Sequence, residues 1–273
     1  MMNSKINVLI TGAGGGGSLG REIMKSLFHA KNNYELFVTN SSALSLALFE
    51  TKNSFIIPNA SSPEYIQKLI SICKTNKIDV VIGGSVPEIE VLSNNLSIFS
   101  ENNIHVISNP GNVIKLCSDK LEIINYLRSK SIRCPKTYNF DIELLNKIDT
   151  FPLIIKPRKG SGSRNVFLCH DKDEAIFFGN YLKKYGNDPI LQEHIGNYSE
   201  EYTIGTLYAD QGKLSVSVAM KRILEGNLST NQISTSPYSG KKFVVSSGIS
   251  QGYFDSFPEL CSYGEKIAKM VGA

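Results

Sequence analysis

The chain has 273 residues, of which 41% are hydrophobic and 20% charged, and its formal net charge is +4. This length allows about two domains with well-buried cores, and the mild, dispersed positive charge argues against nucleic acid and favours a small anionic ligand. Because no apolar run approaches the roughly 20 residues of a membrane span and the five cysteines include no CxxC pair, we expect a cytoplasmic, enzyme-like chain without a membrane partner, disulfide framework or zinc site.

The first part of the chain alternates predicted strands and helices. Residues 6–11 read as a buried strand that enters a glycine turn at residues 12–17 and then a helix at about residues 18–30. Further strands are predicted at residues 36–39, 80–82 and 105–107, and further helices at residues 64–76 and from residue 87. This alternation predicts a doubly wound, mainly parallel α/β sheet over residues 1–113.

The glycine turn matches the dinucleotide fingerprint G-x-G-x-x-G through Gly12, Gly14 and Gly17, between a predicted strand and a predicted helix. One interpretation is therefore an NAD-dependent oxidoreductase. The acid that usually follows the second strand and contacts ribose is missing, because Asn40 stands there. The alternative, in which the glycines allow tight packing or line a substrate site, is favoured.

The second part of the chain does not show the regular alternation of strands and helices. Ser118 is a candidate cap for a helix over residues 119–130. Strands are predicted at residues 153–156, 166–169, 190–193, 201–208 and 214–221, and helices at residues 171–185 and 257–271. Residues 224–252 are rich in Ser, Gly and Asn and predict a mobile loop with one embedded strand at residues 243–245. The last two strands before this loop alternate in side-chain character, as antiparallel strands do.

The most informative segment is IIKPRKGSGSRNV, residues 154–166, in which a short apolar strand ends on Lys156. A loop with almost no side-chain bulk follows, and its backbone N–H groups can close around a polyanion such as phosphate. This loop consists of Gly160, Ser161, Gly162, Ser163 and Arg164. Lys156, Arg158, Lys159 and Arg164 would neutralise the anion. Taken alone, the segment fits a β-hairpin with a flexible basic tip better, because short motifs match by chance.

A second segment, QEHIGNYSEEYTIGTLY at residues 192–208, supplies a strand end and an acid. The exposed backbone edge at the strand end can pair with the edge of adenine. It comprises Gln192, Glu193, His194 and Ile195. Glu201 begins the next strand, and the two acceptor oxygens of its carboxylate can hold two adjacent ribose hydroxyls. Taken alone, these residues fit two antiparallel strands whose acids face water.

In this order and spacing, the two segments together resemble the ATP-grasp superfamily, most closely its carbamoyl phosphate synthetase-like members with KPRxGSGSxxV and QExIxxxEYTxxxL runs. The glycine turn and residues 79–88 resemble the α/β domain that precedes the ATP-grasp domain in that family, and Lys120 belongs to a similar Asp-Lys pair. The resemblance implies a Rossmann-like preATP-grasp domain at residues 1–113. An α+β ATP-grasp domain would follow at residues 114–273, with a small lid subdomain at 114–190 and part of the larger subdomain at 191–273.

The resemblance also implies residue roles. Lys120 and Lys156 would hold the ATP phosphates, and the loop at residues 160–164 would fold over the β- and γ-phosphates. The carbonyl of Glu193 and the N–H of Ile195, flanked by Gln192 and His194, would hold adenine. Glu201 would hold ribose. The catalytic candidates are Lys156 and Arg222, since Arg222 matches a basic strand end that faces the transferred phosphoryl group.

The implied activity is that of an ATP-dependent carboxylate–amine ligase, which phosphorylates a carboxylate to an acyl phosphate that a nucleophile attacks. Both substrates would be small molecules, and a homodimer is compatible with the sequence. ATP and Mg²⁺ are the implied cofactors, yet the Glu-x-Asn pair that usually holds magnesium is absent near the end of the chain, where the acids are Asp255, Glu259 and Glu265. We therefore expect no metal ligands here and an ATP-grasp domain without its last strands.

Three interpretations remain, of which the first two follow from this departure and the third from the glycine turn. The first is a fragment of a ligase with little activity alone, because phosphoryl transfer relies on Mg²⁺ to neutralise developing charge. The second is an inactive nucleotide-binding or regulatory module, and the third is the NAD-dependent oxidoreductase.

Overall fold

The computed structural model describes residues 5–15, 17–31, 33–196, 200–209, 212–225 and 228–273. It divides into two compact units, Met1–Lys115 and Leu116–Ala273. The boundaries inferred from the sequence, at residues 113 and 190, stay predictions. Across the described ranges, no helix has both the length and the apolar character needed to cross a membrane.

The first unit contains a five-stranded parallel sheet flanked by helices. Its strands are β1 (Ile6–Thr11), β2 (Tyr34–Asn40), β3 (Ser54–Ile56), β4 (Val80–Gly83) and β5 (His105–Ile107). The helices are α1 (Leu19–Phe28), α2 (Tyr65–Thr75), α3 (Val86–Ser93), α4 (Leu96–Glu101) and α5 (Gly111–Ser118), which contains the division between the units. The order β3-β2-β1-β4-β5, with every pair parallel, confirms the Rossmann-like prediction.

The core of this unit lies on both faces of β1. Leu9 and Ile10 are both fully buried, and they belong to different apolar clusters because successive strand residues point to opposite faces. Tyr65 and Leu69 of α2 pack in the cluster of Leu9, whereas Met24 of α1 packs in that of Ile10. The continuous apolar run of β1 is therefore that of a strand covered on both sides.

The second unit is α+β, as predicted, and its antiparallel strands form three sheets. The strands are β6 (Thr137–Asn139), β7 (Leu153–Pro157), β8 (Phe167–Cys169), β9 (Pro189–Glu193), β10 (Tyr202–Ala209), β11 (Lys213–Arg222), β12 (Thr230–Thr235), β13 (Lys242–Ser246) and β14 (Gly252–Phe254). The helices are α6 (Lys120–Ser129), α7 (Ile142–Asn146), α8 (Lys172–Lys184) and α9 (Pro258–Val271). The sheet orders are β6-β9-β7-β8, β10-β11-β14 and β12-β13.

The cap of α6 differs from the predicted one. Ser118 ends α5, and Asp119 is the N-cap, since its Oδ1 accepts hydrogen bonds from the backbone N–H groups of Leu121 and Glu122 at 3.1 Å each. Asp is as good a cap as Ser, so local sequence preference does not separate the two. Asp119 is the cap because α5 ends at Ser118 and α6 begins at Lys120, which leaves residue 119 as the single residue between the two helices.

The interpretation of residues 224–252 as a loop with one strand was wrong. This segment contains a complete hairpin, β12 and β13, and the first residue of β14. The strand β12 escaped prediction because its partly buried positions, Thr230, Gln232 and Ser234, are all polar. A half-buried strand is recognised by apolar residues at alternate positions.

Candidate nucleotide-binding site

A cavity of about 350 Å³ lies within the second unit. Every residue predicted to bind the nucleotide lines it: Lys120, Lys156, Gly160, Ser161, Gly162, Ser163, Arg164, Gln192, Glu193, His194, Ile195 and Glu201. Lys159, which was expected to neutralise the anion, also lines the cavity. The remaining lining residues had been given no role from the sequence: Ile154, Pro157, Val166, Val244, Val245 and Ser246. Tertiary structure thus brings together four segments that are far apart in the chain.

Strand alternation in β7 directs Lys156 to this cavity. Leu153 and Ile155 point into an apolar core, so Ile154 and Lys156 point to the opposite face and line the cavity. The Lys156 Nζ donates a hydrogen bond of 2.6 Å to Oε1 of Gln192 on β9. The Gln192 Nε2 in turn donates to Thr137 Oγ1 at 2.8 Å, which fixes the amide so that its oxygen faces the lysine.

Lys120 reaches the same cavity from the first turn of α6. Its Nζ donates to the Gly160 carbonyl oxygen at 2.8 Å, and its backbone N–H donates to the Arg158 carbonyl oxygen at 3.1 Å. The Arg158 Nε donates to both carboxylate oxygens of Asp119, at 2.8 and 2.9 Å, and one Nη donates to Glu122. The expectation that Arg158 neutralises a bound anion is therefore corrected: its guanidinium ties α6 to the loop.

The two lysines form an uncompensated positive site. Burial, together with the positive charge of Lys120, lowers the pKa of Lys156 to about 8. Burial also lowers the pKa of Lys120, although Asp119 opposes this shift. Within the described ranges, no carboxylate lies within ion-pair distance of either Nζ. A polyanion placed here would restore the charge balance.

The carboxylates that line the cavity are engaged elsewhere. Glu193 Oε2 accepts a hydrogen bond of 2.9 Å from the backbone N–H of Lys136. Glu201 Oε1 accepts from Arg222 Nη1 at 2.5 Å. Neither acid therefore neutralises the lysine pair, which leaves the cavity electrostatically suited to phosphate.

The Gly/Ser loop depends on glycine for its conformation and not for lack of space. Gly160 has φ +117° and Gly162 has φ +69°, both in the region that side chains disfavour, yet a Cβ at either would meet nothing within 4 Å. At Gly248, by contrast, there is no room for a side chain, because a Cβ there would lie 2.6 Å from the Gly162 Cα. The segment after β13 thus lies directly against the loop.

The cavity also has an apolar side. Ile154, Val166 and Val245 belong to one apolar cluster, and all three line the cavity. The strand β9 ends at Glu193, so the chain leaves the sheet at His194, whose ring packs edge-on against Phe243 with centroids 5.4 Å apart. The polar turn that follows includes residues 197–199, which lie outside the described ranges. The apolar side of the cavity suits the base of a nucleotide, and the neighbouring lysines suit its phosphates.

The sequence-based assignment missed residues 244–246 because they lie in the segment interpreted as a loop. The signal that could have found them is the apolar run of Phe243, Val244 and Val245, which was recognised as a strand but given no role.

Arg222, the second catalytic candidate, does not lie among the residues that line the cavity. It is 9% exposed, and besides Glu201 its guanidinium contacts the carbonyl oxygens of Ser247 and Ile249, at 3.1 and 2.8 Å. This arrangement holds the ribose candidate Glu201 and the end of the hairpin in place. The catalytic role of Arg222 stays a prediction.

The glycine turn of the first unit is closed by the chain itself. A Cβ at Gly12 would lie 1.8 Å from Glu88 Oε2. Glu88 is 6% exposed and accepts hydrogen bonds from Ser85 Oγ at 2.8 Å and Tyr65 Oη at 3.3 Å, while burial raises its pKa. The Glu88 side chain thus packs directly against the backbone of the turn at Gly12. The packing interpretation of the turn is favoured over NAD binding; its residue 16 lies outside the described ranges.

The described side chains form no cluster of typical metal ligands. No three His, Cys, Asp or Glu side chains come together as a metal-binding group in the part of the chain that the structure describes. ATP-grasp enzymes use ATP with Mg²⁺, and in nucleotide sites this ion is usually held by one or two carboxylates together with the phosphates of the nucleotide.

Comparison with known protein families agrees with this geometry. Residues 117–271 match the family model described as an ATP-grasp domain. The chain belongs to the ATP-grasp family. In this ATP-grasp protein, residues 8–107 match the model described as a PylC-like N-terminal domain, which covers the parallel sheet of the first unit.

Two curated proteins show partial similarity to this ATP-grasp protein. A D-alanine–D-alanine ligase of Fusobacterium nucleatum subsp. nucleatum is 35% identical over 89 residues, covering 33% of this chain and 28% of that protein. A formate-dependent phosphoribosylglycinamide formyltransferase of Prochlorococcus marinus subsp. pastoris is 28% identical over 213 residues, covering 73% and 50%. The chain thus spans half or less of the length of these relatives.

Among solved structures, carboxyaminoimidazole ribonucleotide synthase from Aspergillus clavatus, complexed with ATP, superposes with a TM-score of 0.65 at 15% sequence identity. The match covers 99% of this chain and 63% of that one. This likeness shows a common fold. The finer resemblance to carbamoyl phosphate synthetase-like members stays a prediction.

Proposed function

We propose that this chain binds ATP in the cavity of its second unit and is the nucleotide-binding part of a ligase that joins a carboxylate to an amine. The observation that carries the proposal is the pair of lysines, Lys120 and Lys156, which face one cavity beside a Gly/Ser loop without a carboxylate partner in the described ranges. Two partly buried cations that face one cavity repel each other, and an anion bound between them removes this cost.

In this arrangement the phosphates lie between the two lysines and the loop at residues 160–164, and the base lies on the apolar side against Ile154 and Val245. The carbonyl of Glu193 and the N–H of Ile195 face the edge of the base. The Glu201 carboxylate would accept a hydrogen bond from a ribose hydroxyl. Because its Oε1 already accepts from Arg222, Oε2 is the oxygen available to ribose.

The chemistry proceeds in two displacements. A carboxylate oxygen of the substrate attacks the γ-phosphorus of ATP, the bond to the β-phosphate oxygen breaks, and ADP leaves. The amine of the second substrate then attacks the acyl carbon, inorganic phosphate leaves, and an amide bond remains. Lys120 and Lys156 orient the phosphates and stabilise negative charge in the first step, so no covalent protein nucleophile is required. The name of the D-alanine–D-alanine ligase relative describes a reaction of this class.

A binding experiment tests the nucleotide site. Thermal unfolding of the wild type, Lys156→Ala and the control Lys213→Ala, whose lysine is exposed at the start of β11, is recorded with ADP and with NAD. A ligand at a hundred times its dissociation constant adds about 2.7 kcal/mol to the free energy of unfolding. We expect an ADP shift in the wild type and the control that is strongly reduced in Lys156→Ala. An NAD shift that survives Lys156→Ala, or no ADP shift in the wild type, would overturn the proposal.

A second experiment tests the ligase chemistry. ADP release from ATP is followed with candidate carboxylates, with Mg²⁺ in the buffer and hydroxylamine as the trapping nucleophile. A carboxylate-dependent hydroxamate is expected from the acyl phosphate. ADP binding without carboxylate-dependent ADP formation from ATP would fit either the nucleotide-binding or regulatory module or a part of a ligase with little activity alone.

A further inference from the structure

The hairpin of β12 and β13 supplies one wall of the cavity but belongs to neither neighbouring sheet. It forms a two-stranded sheet of its own, while Val244, Val245 and Ser246 of β13 line the cavity. A lone two-stranded hairpin is at best marginally stable in water. The position of this wall therefore depends on side-chain contacts that dock the hairpin onto the rest of the unit.

The docking surface is the open edge of β8, the last strand in the order β6-β9-β7-β8. An edge strand presents backbone groups without a ladder partner. The backbone N–H of Leu168 on β8 donates a hydrogen bond of 3.2 Å to Oε1 of Gln232 on β12. A side-chain amide thus takes the place that a neighbouring strand would fill.

A second polar contact lies two residues further along β12. The Ser234 Oγ is 2.7 Å from Nε2 of His170, which directly follows β8 and is 7% exposed. At the tip of the hairpin, the Tyr238 hydroxyl donates to Asp171 Oδ2 at 2.8 Å. These contacts run from one end of the hairpin to the other along a single line.

The register of the hairpin connects these contacts to the cavity. Gln232 is paired with Val245, and Ser234 is paired with Phe243. Along β12, the side chains at 232 and 234 are partly buried, whereas Ile233 and Thr235 are exposed. A polar contact has a direction and a length, and it therefore fixes position more narrowly than an apolar contact of the same area. A shift at Gln232 moves the directly paired Val245 with it.

We propose that Gln232 and Ser234 are positioning residues, which set the affinity for ATP by fixing the β13 wall of the cavity against the edge of β8. This inference rests on the proposed ATP site. Neither residue lines the cavity within the described ranges, so their effect on the nucleotide passes through Val244, Val245 and Ser246.

Calorimetric titration with ADP tests the inference. Gln232→Leu approximately keeps the side-chain volume and removes the oxygen that accepts from Leu168, whereas Gln232→Glu keeps an acceptor oxygen. Ser234→Ala removes the contact with His170. Thr235→Ala is the matched control on the exposed side of the same strand. We expect about fivefold weaker binding for Gln232→Leu and about tenfold or more for Gln232→Leu with Ser234→Ala, since each lost hydrogen bond has a modest net effect. Gln232→Glu and Thr235→Ala should bind within about twofold of the wild type.

Amide hydrogen exchange of the ligand-free proteins separates positioning from loss of the fold. In Gln232→Leu with Ser234→Ala, exchange should accelerate in residues 242–246 and stay unchanged in β7 and β9. If the wild type binds ADP and this double variant binds it equally well, or if Gln232→Glu binds as weakly as Gln232→Leu, the positioning role is overturned and the ATP site stands. Absence of ADP binding in the wild type overturns both.

Discussion

The glycine turn of the first unit and the Gly/Ser loop of the second unit look alike in sequence and differ in what surrounds them. At Gly12 the chain fills the space itself, because Glu88 would be 1.8 Å from an added Cβ. At Gly160 and Gly162 the space is open and two lysines face the same cavity. Glycine thus has two uses, close packing in the turn and backbone conformation in the loop, and only the second is accompanied by the positive charge that a phosphate site requires.

The largest effect on stability is expected for Gly12→Ala. The φ of +58° disfavours a side chain, and the new Cβ would displace the buried Glu88 carboxylate from its hydrogen bonds. We expect the free energy of unfolding to fall by about 3 kcal/mol, measured by denaturant titration. Part of this loss should be recovered in Gly12→Ala combined with Glu88→Ala, because the two residues are in contact. Equal stability of Gly12→Ala and the wild type would mean that the turn is not closed by Glu88.

The next effect concerns the open loop and its lysines. Lys156→Met keeps most of the side-chain volume and removes the charge, and we expect ADP to bind about thirtyfold more weakly, because a hydrogen bond to a charged group contributes about 2 kcal/mol. Calorimetry measures the change, with Lys213→Met as the control. The contrast between the regions would fail if Gly12→Ala weakened ADP binding as much as Lys156→Met does.

The pH dependence of binding should report the same lysine. Because the pKa of Lys156 is about 8 in the folded chain, the ammonium loses its proton as the pH rises through 8, and ADP affinity should fall about fivefold between pH 7 and 9. Titrations at both pH values check this, and the decrease should be absent in Lys156→Met.

The stability of the ligand-free chain should change in the opposite direction. The unfolded chain, with an ordinary lysine pKa near 10.4, binds more protons than the folded chain above pH 8, so the contribution of Lys156 becomes more favourable between about pH 8 and 10. Denaturant titrations should therefore show that, between about pH 8 and 10, the free energy of unfolding of the wild type rises relative to that of Lys156→Met.

The smallest effect is expected for Gly160→Ala. The new Cβ has room, but φ +117° is strained for alanine by about 1 kcal/mol. The loop can relax and lose its shape, so ADP affinity should fall about fivefold with little change in the free energy of unfolding. Calorimetry measures the ADP affinity, and denaturant titration measures the free energy of unfolding. A large loss of stability here, as in Gly12→Ala, would erase the distinction between the two regions.

The sequence predicted the strands with strong apolar character well. The strand Ile6–Thr11 was predicted with its observed bounds, because its apolar run at residues 8–10 is buried and the strand ends just before a glycine. Four strands were missed: β3, β6 and β14, which have only three residues each, and β12, whose partly buried positions are polar. Short or polar strands are stabilised by their neighbours, and this information is not local in the sequence.

The candidate site shows the same division. The amino-acid sequence by itself determined which chemical groups are present: two lysines, a loop that only glycine allows, a strand end and an acid, in the order typical of an ATP-grasp domain. Tertiary structure decided which groups face one another. It assigned Arg158 to Asp119 and Arg222 to Glu201, left Lys120 and Lys156 together, and placed residues 244–246 opposite them. Charge pairing and cavity walls depend on distances between segments far apart in the chain, and folding alone sets those distances.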